Sequence, residues 1–131
     1  MYNKRLIVIT GLLILLLLSL TSSAKHPGLL ARYRIRQSGQ VVATAYNSLA
    51  NQTDSTPWIT AAGTRCRPGV IAANFLPLGT KVYIEGFEGV FVVEDRMNRR
   101  YAKRIDIWFR SYSDAMRFGK RKIRYYVLDS V

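Results

Sequence analysis

Two aspartates eleven positions apart, Asp95 and Asp106, are the residues in this chain best placed for proton transfer. The first closes the apolar run Gly89-Val-Phe-Val-Val-Glu-Asp95, and the second interrupts Arg104-Ile-Asp-Ile-Trp-Phe109. A carboxylate inside a strand-like apolar stretch is costly unless it is paired, protonated or open to a cleft. A carboxyl group that donates a proton near neutral pH needs its pKa raised by burial or by a neighbouring carboxylate. Asp95 could supply that repulsion to Asp106, whereas Arg96 and Arg104 would oppose it if they came close. The alternative for Asp106 is a structural ion pair with Arg104 or Arg110, since such pairs also perturb carboxylates.

The elements that must position these groups are short. Val41 to Tyr46 reads as a first strand, and Asn47 to Pro57 as a polar loop. Ile59 to Ala62 and Val70 to Ala73 are short apolar runs. Pro77-Leu-Gly-Thr80 turns into a strand from Lys81 to Glu85, and Gly86 and Gly89 bracket a reversal before Val90 to Asp95. In Arg104 to Phe109 the period-2 pattern puts Ile105, Ile107 and Phe109 on one face and Asp106 with Trp108 on the other. Ser111 to Gly119 reads as one short helix, with Ser113 as cap and Gly119 as stop. Ile123 to Leu128 is the last strand. Six or seven short strands and one helix predict a small, mainly β barrel.

The N-terminus has a different plan. Lys4 and Arg5 precede an apolar run from Leu6 to Leu20, and Thr21-Ser-Ser-Ala24 follows as a small-residue exit. Residues 1–24 therefore read as a signal peptide or an N-terminal membrane anchor, and both place the remainder outside the cytoplasm, in the periplasm or cell envelope. Residues 25–40 are basic and weakly patterned and read as a tether, leaving 41–131 as the folded domain. The chain has 20 Lys and Arg against 8 Asp and Glu, a formal charge of +12. Such a field concentrates polyanions. Outside a cell these are lipid headgroups, peptide carboxylates and wall phosphates. The basic residues do not interleave with aromatics as a base-stacking platform would, so nucleic acid is not expected.

Cys66 is the only cysteine and His26 the only histidine, so neither an intrachain disulfide nor a zinc set can be assembled, and no metal or cofactor is expected. Asp54, Asp95 and Asp106 could offer oxygens to a hard cation, but the surrounding arginines disfavour one. Thr60 and Thr64 could hydrogen-bond sugar hydroxyls, or serve only the turn they flank. Trp108 and Tyr46 could stack on a sugar ring or pack against the barrel.

In order, the marks Thr44-Ala-Tyr46, Thr60-Ala-Ala-Gly-Thr64, Gly69-Val-Ile-Ala72, Pro77-Leu-Gly-Thr-Lys-Val-Tyr83, Val93-Glu-Asp95 and Arg104-Ile-Asp-Ile107 form a recognisable set. Phe118-Gly119 and Val127-Leu128 complete it. The set resembles the 3D (three-aspartate) domain, a double-psi β-barrel found in membrane-bound lytic transglycosylase A and in stationary-phase survival proteins. Rare lipoprotein A and the expansins are more distant relatives of that domain. The resemblance spans about Val41 to Leu128 and implies a six-stranded double-psi barrel with one short helix, preceded by the hydrophobic leader helix.

It also implies an activity: cleavage of the β-1,4 bond between N-acetylmuramic acid and N-acetylglucosamine in peptidoglycan, leaving a 1,6-anhydro end. By resemblance Asp106 matches the acid/base aspartate and Asp95 the aspartate that supports it. Two departures stand out. Asn74 occupies the place of the first aspartate, keeping hydrogen bonding but not charge; Asp54 is the candidate to restore that charge from elsewhere. Arg96 to Arg104, usually glycine-rich, contains no glycine. The expected partner is the glycan strand, with the N-terminal segment at the membrane and the protein monomeric. A non-catalytic wall-binding module of the same fold is the alternative.

Overall fold

Strand formation begins earlier than the hydrophobic pattern places it. The structure, a computed structural model, describes residues 31–48 and 58–131 together with Gly28. Six strands and one helix follow in order: β1 (Tyr33–Tyr46), β2 (Val70–Ala73), β3 (Lys81–Ile84), β4 (Phe91–Asp95), β5 (Arg104–Trp108), α1 (Tyr112–Phe118) and β6 (Arg121–Ser130). The leader at 1–24 and Asp54 lie outside the described residues. Among those described, no helix is long and apolar enough to cross a membrane.

The strands close into a barrel in the order β1-β5-β2-β4-β3-β6. Neighbours β1/β5 and β2/β4 run parallel, and the other four contacts are antiparallel. Closure pairs β1 on both sides from Val42 to Ala43, whereas its first half, from Tyr33 to Val41, pairs with β6 alone. Inward side chains build a continuous core that includes Val41, Ala43, Ile71, Val93, Ile105, Ile107, Tyr125 and Val127. Each fully buried Ile or Val contributes on the order of 1.5–3 kcal/mol. Phe109 packs against this core from a half-buried position, on the same face as Ile105 and Ile107 as the alternation predicts.

The expected tether is partly strand. Residues 33–40 pair with β6, from Tyr33 opposite Ser130 to Gln40 opposite Arg124. Their side chains are mostly exposed, so no apolar alternation marks them; backbone pairing carries this part of β1. Asp129 on β6 faces Arg34 and Arg36 at 3.8 and 3.7 Å. The chain divides into the units Met1–Arg32 and Tyr33–Val131, and the barrel is the second.

Two further expectations change. Ile59 to Ala62 is not a strand: Ile59 makes one isolated bridge to Arg65, and the backbone between them turns. Gly63 takes φ of 80° there and donates to the Thr60 carbonyl at 2.9 Å, a conformation that favours glycine. The helix is capped by Ser111, not Ser113. The Ser111 hydroxyl accepts from the Asp114 amide, while Ser113 only bonds Ser111 at 2.6 Å. Gly119 ends the helix as expected, at φ of 63°.

Candidate active site

The outer face of the barrel brings the two aspartates to one level. Ala72 on β2 is the register partner of Asp106 on β5 and also of Asp95 on β4. The two carboxylates thus rise on either side of a buried alanine, two strand spacings apart, or about 10 Å between backbones.

A β-bulge makes this possible. In the β2/β4 ladder Ile71 faces Val93, but the next partner of Ala72 is Asp95, with Glu94 left between. Strict alternation after inward-facing Val93 would send Asp95 back into the core. The extra residue re-aims it to the outside instead.

Asp106 is half-buried, and its Oδ1 accepts from the Thr44 hydroxyl at 2.9 Å. Burial pushes its pKa up to about 6, against the Thr44 hydrogen bond and Arg104, with Asp95 adding a little. Neither guanidinium suggested by the sequence clamps it. No ion pair among the described residues includes Asp106. Arg104 lies over the Tyr101 ring, 4.2 Å from its centroid. Arg96 turns away and donates to the carbonyls of Ala73 and Leu76, the latter at 2.8 Å.

Asp95 is held on three sides. Its Oδ1 accepts from the Ala61 amide at 3.0 Å and from the Arg96 amide at 2.9 Å, and its Oδ2 from the Tyr46 hydroxyl at 3.0 Å. Burial, then the Asp95 carboxylate, drives the Tyr46 phenol well above its ordinary pKa, so it remains a donor. Tyr46 is therefore a support for Asp95 rather than an open stacking platform.

The remaining sequence candidates are engaged with the protein itself. Trp108 is 5% exposed, and its Nε1 donates to the Ser48 hydroxyl at 2.9 Å. Although the alternation puts it on the Asp106 face, it is buried, so it offers no open ring to a ligand. Thr60 is buried, and its hydroxyl lies 2.8 Å from that of Thr64. Thr64 in turn donates to Glu94, which Arg67 grips through both guanidinium nitrogens at 2.8 and 2.5 Å. That grip holds the Glu94 carboxyl below its usual range. The two threonines fasten the 58–67 turn to the bulge.

Asn74 does the same for the glycine-free segment. Its Nδ2 points at the carbonyls of Met97, Asn98 and Tyr101 at 3.1, 3.1 and 3.3 Å, and its Oδ1 accepts from the Met97 amide at 3.0 Å. An aspartate would set an oxygen against three carbonyls. The amide here clamps a loop.

Sequence reasoning passed over Thr44, Glu94 and Arg67. Thr44 carries a signal in retrospect, a hydroxyl on the polar phase of an alternating run, but its partner sits 62 positions away. Cys66 borders the same region: burial raises its thiol pKa, and Ser48 hydrogen-bonds to it.

No protein-family model matches the chain, and no curated protein matches it.

Proposed function

We propose that this barrel is a double-psi β-barrel of the 3D type and that the protein is an exported, peptidoglycan-cleaving lytic transglycosylase acting through Asp106. The observation that carries the reading is the state of that carboxyl group: partly exposed, oriented by one neutral hydroxyl, held by no guanidinium and raised to about 6. The two parallel contacts between strands distant in sequence support the double-psi topology.

One carboxyl group suffices for the reaction. Protonated Asp106 gives its proton to the glycosidic oxygen as the bond from the muramic acid C1 breaks, releasing the N-acetylglucosamine hydroxyl. The 6-hydroxyl of the same muramic acid attacks C1 and returns its proton to the Asp106 carboxylate. The product is the 1,6-anhydro end, no water is used, and the acid is regenerated. Ordinary glycoside hydrolysis divides these roles between two carboxyl groups. Asp95, fixed by Tyr46 and two amides on the far side of Ala72, is the group placed to favour positive charge developing at C1.

The test is digestion of purified sacculi with the full chain, read by mass spectrometry. Anhydro-muropeptides should appear with the parent protein and be lost with Asp106→Asn. Equal release by the variant would remove Asp106 from the chemistry. The second reading, a non-catalytic wall-binding module, is favoured by the internal engagement of Thr60, Thr64, Asn74 and Trp108. It predicts salt-sensitive retention on sacculi by both proteins and soluble products from neither.

A further inference from the structure

The outer face that bears Asp106 continues into a cationic floor. Along β1 the outward positions are Gln40, Val42, Thr44 and Tyr46, and Thr44 lies beside Asp106. One row back, Val42 lies between Arg104 on β5 and Lys122 on β6; in the next row Gln40 faces Arg124. Each row is about 7 Å from the last. Gln40, Val41, Val42, Lys103 and Lys122 line a depression of about 350 Å³ at this place. A second depression of about 480 Å³ shares Gln40 and Lys122 and extends to Arg124.

The cations there are not equivalent. Arg121 is tied to the Phe118 carbonyl and stacked on the Phe118 ring at 4.3 Å. Arg124 faces Glu85 at 3.7 Å, and Arg104 covers Tyr101. Lys103 and Lys122 are exposed, and neither enters an ion pair among the described residues.

We infer that this floor is a subsite for the carboxylates of peptide branches on the glycan, so that Lys103 and Lys122 make the protein prefer peptide-bearing strands to stripped ones. The inference rests on the glycan-cleaving reading and adds its substrate class. Two separate ammonium groups on a strand-paired surface suit single carboxylates spaced along an extended peptide, whose every second side chain repeats at about 7 Å. A lone phosphate favours converging donors or a guanidinium fork, and the guanidinium groups here already have partners.

The full chain, purified in detergent, is tested for binding and cleavage with glycan strands carrying stem peptides, with the same strands after amidase treatment, and with a glycerol-phosphate polymer. Parent protein should bind the peptide-bearing strands about three- to ten-fold more tightly than the stripped ones, an advantage lost in high salt. K103A/K122A should show no such difference. Equal affinity of the parent for both strands, or a preference retained by the double variant, overturns the subsite. So does tighter binding of the phosphate polymer that disappears in the same variant. Cleavage without peptide preference removes this subsite but leaves the role of Asp106 standing. Peptide-dependent binding without any cleavage does the reverse.

Discussion

Thr44 and Asp106 face each other across the parallel pair β1/β5, hydroxyl to carboxylate oxygen, at 2.9 Å. This hydrogen bond favours the charged form, while burial favours the neutral one and prevails. The balance between them sets the pH at which the group can act.

Removing the hydroxyl tilts that balance further. Thr44→Val should raise the Asp106 pKa beyond about 6, because a stabiliser of the carboxylate is lost. NMR titration of the Asp106 side-chain carboxyl should show the midpoint moving to higher pH. The alkaline limb of anhydro-product release should move with it, falling about ten-fold per unit above the midpoint.

Stability should carry the same signature. Because the folded pKa of Asp106 lies above its ordinary 3.8, the native state binds the proton more tightly than the unfolded chain. Its contribution is full below about pH 4 and fades as pH rises through about 6. The difference is on the order of 2–3 kcal/mol at most for a half-buried group. Asp106→Asn should therefore unfold at higher denaturant than the parent at pH 7.5, with the gap narrowing at pH 4. A parallel offset at both pH values would contradict the burial argument.

The clamp on the 97–101 loop can be broken with one atom. Asn74→Asp keeps the acceptor for the Met97 amide but replaces the donor with an oxygen facing three carbonyls. A cost of about 1 kcal/mol is expected for this half-buried mismatch. Limited trypsin digestion should cut sooner after Arg99 and Arg100, while Asn74→Ser should fall between variant and parent.

Glu94 depends on Arg67. With the guanidinium removed in Arg67→Ala, a residue 8% exposed keeps Thr64 as the remaining side-chain partner of its carboxylate among the described residues. Because Arg67 is itself about half exposed, the loss should be near 1–2 kcal/mol rather than that of a sealed pair. In the parent, the lowered Glu94 pKa gives stability that is present above the ordinary carboxylate range and lost as pH falls. Chemical denaturation from pH 7 to 3 should show that acid-dependent loss shrinking in the variant.

What was legible in the chain follows from the range of each interaction. Strands β2 to β6, apart from end residues, show in apolar runs punctuated by turning glycines, and Asp106 shows as a charge that breaks such a run. The first half of β1 does not, because Arg34, Arg36 and Gln37 are exposed and only pairing with β6 makes them strand. The alternation puts Trp108 on the Asp106 face, but its burial and its hydrogen bond to Ser48 are tertiary facts. The partnership of Asn74 with residues 97–101 is likewise invisible until the chain returns.

The extra residue in β4 also bears on chain length. Because Val93 points inward, a residue directly after it would face outward by plain alternation, so a strand lacking Glu94 would still set an aspartate opposite Ala72, without a bulge. What such a strand would lose is Glu94, and with it the carboxylate that Arg67 and Thr64 hold. The inserted residue thus lets one strand carry two carboxylates in succession, one gripped by Arg67 and one beside Ala72.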